Sequence, residues 1–433
     1  MLVLGIARWL LVPPLLARVV RVLWRARKEI AAADVPSVYE WGGFGHHVIG
    51  PDALRRLFPG KRVVMLCNAW RGVHNWYIPL LWTEPRIYLL QFGILLGPSL
   101  ILTVPVRIQV ATCIAIGKWL KRRYPNKVVL GSVDEFREEL WKTARALPGP
   151  PIAALPSSDE AEYTKAYFHL MAQCRAPAVK LPASMTSPIR QALATARGDD
   201  GRPPMLCCLY LRKRGSPNEI ISYVRTGSEL SDYVPAIRRL VEAGYQCLLV
   251  GDRTLPGEVA RSFDGWLVDA ATLGQDPGAV ALFGASETDI FIGESGGGTF
   301  LPGVNAIPTL IVNNIPYYQI RFRATTFFKV CTDRSGAVID LKRMFGELSR
   351  AHEIENGTIH PDSAEQLELA VSEFLAEHRR GEAYGVAVET IAGAPNDLWY
   401  ADAQARISPA WLRMVNELRP AEHRNPSSSG HSA

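Results

Sequence analysis

The chain has 433 residues, of which 48% are hydrophobic and 21% are charged; this is typical of a globular protein and excludes a largely disordered one. This length exceeds what one ordinary hydrophobic core supports, so two domains are expected. The formal net charge of +6 includes two basic clusters, one near the N-terminus and one at 118–123, each beside apolar sequence. Such clusters favour an anionic membrane surface as partner, and because no nucleic-acid motif accompanies them we predict no nucleic-acid binding.

The seven cysteines are an odd number, and none of them forms a C-x-x-C pair. Several lie in apolar, strand-like runs, which predicts buried free thiols in a reducing cytosol. We therefore expect neither a zinc site nor any other bound metal.

Residues 1–35 are apolar and basic, but Arg8 and Pro13-Pro14 interrupt the apolar runs too often for a spanning helix. Leu15–Trp24 carries arginines at helical spacing, which predicts an amphipathic helix that lies in the membrane interface. A helix docked on the fold is the alternative. We predict a cytoplasmic protein that is peripheral to the inner face of the cell membrane.

An N-terminal domain is predicted over 36–200, and we expect it to bind the acceptor, the substrate that receives a transferred group. It begins as a βαβ unit with strands at Ser37–Trp41 and Arg62–Leu66 and a glycine-rich turn between them. The turn lacks the full G-x-G-x-x-G pattern, so NAD binding is not expected. It contains His46 and His47, either of which is a candidate general base for an acceptor hydroxyl, and the alternative for each is a hydrogen-bonded capping histidine.

The most apolar stretch is Ile87–Trp119, which contains prolines and no uninterrupted span of membrane length. We interpret it as buried or membrane-dipping helices. The proline- and aspartate-containing segment Gly198–Pro204 is the predicted domain boundary.

A second domain is predicted over 201–380, followed by a helical extension and a disordered tail over 381–433. Its strands alternate with helices, which predicts a doubly wound parallel sheet. The strand Met205–Leu211 is followed by Arg212 and Arg214, and a later strand is followed by Asp252. Because ligands bind at the carboxyl ends of parallel strands, we predict that these three side chains bind the ligand.

The sequence is organised around a glycine-rich loop, in the stretch DIFIGESGGGTFLPGVNAIPTLIVNNIP at 289–316. Strand, glycine loop, short helix and strand is an arrangement with which α/β proteins hold phosphate. It adds these residues to the predicted ligand-binding set, which is the donor-binding set of the interpretation given below: Ser295, Gly296, Gly297, Gly298, Thr299 and Asn313.

Three other interpretations of the loop and the chain remain open. The string GESGG is also a G-x-S-x-G nucleophile elbow, in which Ser295 would attack an ester with an acid and a histidine further along the chain. The acid would be Asp333 or Asp340 and the base His352 or His360. In the second interpretation the loop is only a tight turn between strands. In the third, the chain is a non-catalytic scaffold of a polysaccharide assembly complex.

The second domain resembles a bacterial family of glycosyltransferases found among surface-polysaccharide genes, distantly related to fucosyltransferase-like enzymes of the GT-B fold. The resemblance rests on an ordered set of motifs: CCLYLRKRG, AIRRLVEAGYQCLLVGD, the glycine-loop stretch, RISPAWL near the C-terminus and GHHVIGPDALRRLF in the first domain. It covers about Trp41 to Leu412.

The resemblance implies an α/β fold of GT-B type, with two Rossmann-like doubly wound domains facing a central cleft and extra apolar N-terminal helices. It implies a hexosyl- or fucosyl-type transferase that needs neither a metal nor a cofactor, with a nucleotide-diphosphate sugar as co-substrate and a surface-glycan or lipid-linked acceptor. Arg212, Ser295 and the glycines that follow would contact the diphosphate. The related fucosyltransferases carry H-x-R at the first strand end, whereas this chain has Tyr210 in the histidine position, so the nucleotide is not identified.

Overall fold

The computed structural model describes most of the chain. The described residues are 12–40, 44–68, 77–90, 92–97, 100–148, 159–198, 204–212, 227–251, 254–294, 296–314, 322–339, 358–381, 385–387 and 404–418. They divide into two compact units, the first from Met1–Ile152 and Glu162–Pro182 and the second from Ala153–Ala161 and Ala183–Ala433. The domain limits predicted from the sequence stay a prediction.

The first unit alternates helices and strands. Its elements are α1 (Val12–Ala32), β1 (Val35–Tyr39), α2 (Phe44–Leu57), β2 (Val63–Asn68), α3 (Ile78–Leu81), β3 (Arg86–Leu90), β4 (Gly93–Gly97), β5 (Leu100–Thr103), α4 (Val106–Arg123), α5 (Val133–Ala146) and α6 (Asp159–Gln173). The first three strands form a parallel sheet in the order β1-β2-β3, and β4 and β5 form a separate antiparallel pair.

Helices cover both faces of this three-stranded sheet. On one face, Val38, Leu66 and Leu90 share a hydrophobic cluster with residues of α1 and α4. On the other face, the ring of Tyr39 packs edge-on against Phe136 of α5, with 5.4 Å between the ring centroids. Successive side chains of a strand point to opposite faces, so the alternation along β1 accounts for both layers.

Helix α1 is docked on the fold by its apolar side. Val19, Ala26 and Ile30 are buried in the cluster over the sheet, and Leu16 and Leu23 pack against it. The helical arrangement of apolar and basic residues that the sequence predicts is therefore present. The structure adds that the apolar stripe is used inside the protein.

The prediction of helices throughout Ile87–Trp119 is wrong for its first half. The structure forms three short strands there, β3, β4 and β5, and a helix only from Val106. Gly93, Gly97 and Pro105 lie at the element ends, and they divide the apolar run into pieces of strand length. Among the described helices, none is long and apolar enough to span a membrane.

The second unit holds the larger sheet. Its elements are α7 (Ala183–Arg197), β6 (Met205–Leu211), α8 (Leu230–Glu242), β7 (Tyr245–Gly251), α9 (Gly257–Arg261), β8 (Leu267–Asp269), α10 (Pro277–Ser286), β9 (Ile290–Glu294), α11 (Phe300–Val304), β10 (Thr309–Asn314), β11 (Ala324–Phe328), β12 (Val330–Thr332), β13 (Thr358–His360), α12 (Ala364–Arg380), β14 (Val386–Ala387), β15 (Arg406–Ile407) and α13 (Pro409–Leu418).

Eight strands pair in the order β14-β15-β11-β10-β9-β6-β7-β8, and every pair except β14–β15 is parallel. If β6 to β11 are numbered 1 to 6 along the chain, they lie in the sheet in the order 3-2-1-4-5-6. This is the usual strand order of a dinucleotide-binding α/β domain. Helices α8 and α12 pack together over this sheet, and α10 packs on β6 and β7. The predicted α/β class, with a doubly wound parallel sheet, is confirmed.

Most predicted elements of the second unit are present with small shifts at their ends. Helix α8 is an instructive case, because we expected Ser231 or Asp232 as its N-cap. Glu229 is the N-cap, and its side chain forms a capping box with Asp232 at the third helical position. Asp232 therefore caps in the reciprocal role, by accepting from the backbone N–H of Glu229 at 2.9 Å.

All seven cysteines are free thiols, and six of them are buried. Burial raises the pKa of Cys113 and of Cys331 to about 12, which keeps these thiols protonated and unreactive at neutral pH. This agrees with the prediction of structural free thiols.

Candidate functional site

The sheet order identifies one edge of the second unit as a candidate binding site. Strands β6 and β9 are neighbours, and the chain proceeds outward from them in opposite directions, to β7 and β8 on one side and to β10 and β11 on the other. In open α/β sheets, ligands bind at the carboxyl ends of the strands at this switch point. Arg212 follows β6, and the loop Gly296–Thr299 follows β9 and Ser295.

The glycine loop lies directly against the end of β6. A Cβ atom on Gly296 would lie 3.0 Å from the Tyr210 hydroxyl oxygen and 3.2 Å from Arg212 Nη1. A Cβ atom on Gly298 would lie 3.0 Å from Cε2 of the Tyr210 ring. Glycine therefore lets the loop approach these two side chains closely, and the structure brings Arg212 together with the predicted glycines.

Thr299 closes this loop on itself. Its side chain is buried, and its hydroxyl donates a hydrogen bond to the Gly296 carbonyl at 2.6 Å. Gly297–Thr299 form one 3₁₀ turn, and α11 after it is only five residues long. The role of Thr299 in this geometry is to hold the loop, and the long helix expected after a nucleophile elbow is not formed at this position.

Glu294, the last residue of β9, connects the two sides of the switch point. Its Oε2 accepts from the backbone N–H of Arg212 at 2.7 Å, and its Oε1 accepts from the Tyr233 hydroxyl at 2.7 Å. A Cβ atom on Gly227 would lie 1.8 Å from Oε1, so the chain before α8 also needs a glycine to pass this carboxylate. Glu294 is buried, and two hydrogen bonds offset part of the cost of burying it.

Asn313 lies deeper in the same unit, at the end of β10. Its Nδ2 donates to the Tyr233 hydroxyl and to Ser228 Oγ, both at 2.9 Å, and its Oδ1 accepts from the backbone N–H of Asp362 at 2.8 Å. Its φ of 51° lies in the left-handed region, which asparagine tolerates better than most residues. The structure thus places this predicted donor-binding residue in a buried hydrogen-bond network.

The network ends in a buried ionisable pair, Lys329 and Asp362. Burial raises the pKa of Asp362 to about 8, although the Asn313 backbone N–H, at 2.6 Å from Oδ2, and the charge of Lys329 act in the opposite direction. Burial lowers the pKa of Lys329, and the negative charges of Asp362 and Glu294 oppose that change. These shifts mark the ends of β10 and β11 as electrostatically unusual.

The sequence did not single out Glu294, Tyr233, Lys329 or Asp362. Glu294 had a local signal, because it is an acidic residue at the end of an apolar strand directly before the glycine loop. The other three had none, since each contributes through partners that are distant in sequence. Of the remaining predicted residues, Arg214, Asp252 and Ser295 lie outside the described residues.

The two candidate histidines belong to the first unit. Helix α2 begins at Phe44, so both lie in its first turn, and the side chain of His46 lies outside the described residues. His47 is fully buried, and its Nε2 is 2.9 Å from the carbonyl oxygen of Asn68 at the end of β2. Because a carbonyl only accepts, this nitrogen carries a proton, and Nδ1 is the atom at which a general base would act.

The hydrogen bond of His47 belongs to a chain along the carboxyl edge of the first sheet. Asn68 Nδ2 donates to the Glu40 carbonyl at 2.9 Å, and Glu40 Oε2 accepts from the backbone N–H of Val133 at 2.8 Å. Burial is the main cause of the raised pKa of Glu40. His47 is therefore fixed in orientation, whatever its chemical role.

Comparison with known proteins gives structural neighbours only. No protein-family model matches the chain, and no curated protein does. One solved structure that is similar is a glycosyl transferase family 9 protein from Veillonella parvula DSM 2008, at 12% identity and a TM-score of 0.44, covering 79% of this chain and 97% of that one. Another is the wall teichoic acid polymerase TagF, at 12% identity and a TM-score of 0.22, covering 71% of this chain and 79% of that one.

Proposed function

We propose that the chain is a glycosyltransferase that moves a sugar from a nucleotide-diphosphate sugar to a surface glycan or a lipid-linked acceptor. One observation carries the proposal: Arg212 and the loop of Gly296 and Gly298 lie side by side at the switch point of the 3-2-1-4-5-6 sheet. That is where such sheets bind nucleotides, and a guanidinium beside a glycine loop suits a diphosphate.

The chemistry of the leaving group supports the assignment of these residues. Breaking the bond between sugar and diphosphate leaves negative charge on the diphosphate oxygens. Arg212 supplies a fixed positive charge, and the glycine loop lets backbone N–H groups approach the same oxygens, so together they would stabilise that charge. A metal ion is not required for this, and metal independence is part of the proposal.

The acceptor is assigned to the first unit. There His46 and His47 are the candidate bases that would take the proton from the acceptor hydroxyl as it attacks the sugar. His47 is fully buried and its Nε2 donates to Asn68, which fits the hydrogen-bonded role given above as its alternative, so His47 would act as the base only through Nδ1. The sugar that is moved would be of hexosyl or fucosyl type.

The test is a calorimetric titration of the purified protein with UDP and with GDP, alongside an assay for hydrolysis of a short-chain ester. Both are repeated on Ser295→Ala. Binding of one nucleotide without ester hydrolysis supports the transferase and names the donor's base. Ser295 is one of the predicted donor-binding residues, so Ser295→Ala would remove at most one hydrogen bond to the diphosphate and should weaken nucleotide binding by no more than roughly tenfold.

Two results would overturn the proposal. Ester hydrolysis that Ser295→Ala abolishes would make GESGG a nucleophile elbow and the chain a serine esterase. Absence of both nucleotide binding and hydrolysis, together with no transfer to a crude lipid-linked acceptor from UDP- or GDP-sugars, would favour a scaffold of polysaccharide assembly.

A further inference from the structure

Two basic helices cover the same face of the first sheet. Val19 and Ala26 of α1, and Cys113 and Leu120 of α4, are buried in one cluster with side chains from one face of β1, β2 and β3. The turn after α4 is tied to the end of α1, because Lys127 Nζ donates to the carbonyls of Ala31 and Ala33 at 2.6 Å. The outer sides of α1 and α4 therefore point away from the sheet in the same direction, and we refer to them together as the α1–α4 outer face.

The α1–α4 outer face is strongly positive. The two helices contain ten lysines and arginines but one acidic residue, Glu29. Since the whole chain has 48 basic and 42 acidic residues, the rest of the chain is net negative. The exposed basic residues are Arg18, Arg21, Arg25, Arg27 and Lys28 on α1 and Arg107, Lys118, Lys121, Arg122 and Arg123 on α4.

Among the residues that the structure describes, few acidic side chains neutralise these charges. Lys121 pairs with Glu135 at 2.5 Å, and Glu29 is 4.0 Å from Arg86, which is outside the two helices. On α1, Arg18, Arg21, Arg25 and Lys28 follow the spacing of one helical stripe, on the side opposite the buried apolar residues. A stripe of this kind presents its charge to a single flat partner.

Large apolar side chains are exposed among these charges. Trp24 is 65% exposed and Val20 63% on α1, and Trp119 is 46% exposed on α4. The guanidinium carbon of Arg27 lies 3.9 Å from the centroid of the Trp24 ring, so this tryptophan is held in place at the surface. Tryptophan beside arginine and lysine is the combination that anchors proteins at the headgroup level of a bilayer.

We propose that the α1–α4 outer face binds the surface of a bilayer that contains anionic phospholipid. The charges attract the headgroups, and the exposed tryptophans and valine enter the boundary between headgroups and acyl chains. This goes beyond the proposed sugar transfer and does not depend on it. It also differs from insertion of the apolar stripe of α1, because that stripe is buried against the sheet.

A polyanion such as RNA is the competing partner for a basic face. Two features favour lipid: the exposed apolar side chains have no role in contacts to phosphate, and aromatic residues that stack on bases would alternate with the charges along a groove or sheet. Here the two tryptophans lie on different helices.

The experiment is co-sedimentation of the full chain with sucrose-loaded vesicles. One set is phosphatidylcholine alone, and the other contains 30% phosphatidylglycerol, a composition chosen at roughly the anionic content that attracts basic segments. The variants are Arg21→Glu with Arg25→Glu on α1, and Lys118→Glu with Arg122→Glu on α4. The matched control reverses two exposed arginines of the second unit, Arg238→Glu with Arg261→Glu, and has the same change in net charge.

The wild type should bind the anionic vesicles and not the neutral ones, and binding should weaken as salt is raised. Each helix variant should bind at least about twenty-fivefold more weakly, because each Lys or Arg near an anionic surface contributes about fivefold and two are replaced. The control should bind as the wild type does. The α4 variant is decisive, because its substitutions are far in sequence from residues 1–11, which carry apolar and basic residues of their own.

The proposal is overturned if the wild type does not bind anionic vesicles, or if the α4 variant binds them as tightly as the wild type does. It is also overturned if single-stranded RNA binds as tightly as the vesicles and depends on the same residues, since the face would then belong to nucleic acid. Thermal unfolding of each variant at the wild-type midpoint confirms that the sheet beneath is intact. Nucleotide binding by the α4 variant, measured separately, shows whether the donor site is affected.

Discussion

The carboxylate of Glu294 accepts a hydrogen bond from the backbone N–H of Arg212, with 2.7 Å between Oε2 and N. The bond joins the carboxyl ends of β6 and β9, the two strands between which the sheet order reverses. It therefore fixes the point at which the Arg212 side chain leaves the sheet. The same carboxylate accepts from Tyr233 of α8, so the helix is connected to the same point.

Replacing Glu294 by leucine should destabilise the protein strongly. Leucine removes both acceptors and leaves the partly buried N–H of Arg212 and the buried O–H of Tyr233 without the acceptor that Glu294 provides. Each such loss costs about 1–3 kcal/mol, so the free energy of unfolding should fall by about 2–6 kcal/mol. Chemical denaturation monitored by tryptophan fluorescence measures it.

Glu294→Gln is the matched control. The amide oxygen can still accept from the Arg212 N–H, but the amide NH₂ cannot accept from the Tyr233 hydroxyl, so one of the two acceptors is kept and the loss should be about 1–3 kcal/mol, half of that for leucine. A loss for glutamine as large as that for leucine would show that the negative charge, and not the pair of acceptors, holds this point together.

Arg212→Ala should weaken nucleotide binding by roughly ten- to a hundredfold, since a charge-assisted contact to phosphate is worth about 1.5–3 kcal/mol. Isothermal titration with the nucleotide that binds the wild type measures the change. Arg238→Ala, which removes an exposed arginine of α8, is the control for net charge and should bind normally. Unchanged affinity in Arg212→Ala would remove this residue from the donor site.

Gly298→Ala should disturb the loop through contact with Tyr210. The added methyl group would lie 3.0 Å from the ring, so the ring or the loop has to move by a few tenths of an ångström. Overpacking of this kind costs about 1–3 kcal/mol, and displacement of the loop should also weaken nucleotide binding. Denaturation and titration of the same sample measure both effects.

Gly257→Ala at the start of α9 is the comparison, because among the described residues its added methyl group would meet Arg261 Nη1 alone, at 3.5 Å, which is an ordinary contact. It should leave stability and binding near the wild-type values. If Gly298→Ala behaves in the same way, the close approach of the loop to Tyr210 has no functional consequence.

The parts of the fold that local sequence determines were predictable. Strand β6 occupies Met205–Leu211 as predicted, because its apolar run is bounded by proline on one side and by charge on the other. The strands in the apolar run after Ile87 were not predictable, because a short apolar run between glycines and prolines shows no periodicity that would distinguish a strand from a buried helix. Tertiary pairing of β4 with β5 decided that case.

The site could be predicted only where it follows the chain. Arg212 and the glycine loop were found because each comes directly after an apolar strand. The partners that hold them were not, because Glu294 meets Arg212 across 82 residues and Asp362 meets Asn313 across 49. Such contacts follow from the order of the strands in the sheet, and the local patterns of a single sequence do not reveal that order.

Asp362 should make stability depend on pH. Burial raises its pKa in the folded protein to about 8 from an ordinary 3.8. Between pH 3.8 and about pH 8 the folded chain holds a proton on Asp362 that the unfolded chain releases. The stabilisation that this proton contributes is therefore complete below pH 3.8 and is lost as the pH rises through about 8. Asp362→Asn cannot titrate, yet its side-chain oxygen can still accept from the Asn313 N–H, now at 2.6 Å from Asp362 Oδ2.

We therefore expect the free energy of unfolding of the wild type to fall more steeply between pH 5 and pH 7 than that of Asp362→Asn. The difference in slope is at most about 1.4 kcal/mol per pH unit, the value for one proton. Ser363→Ala, which removes the neighbouring N-cap of α12, is the control: it should lower stability by about 1 kcal/mol at every pH without changing the slope. Parallel curves for the wild type and Asp362→Asn would instead mean that Asp362 is ionised in the folded state, with the charge of Lys329 compensating its burial.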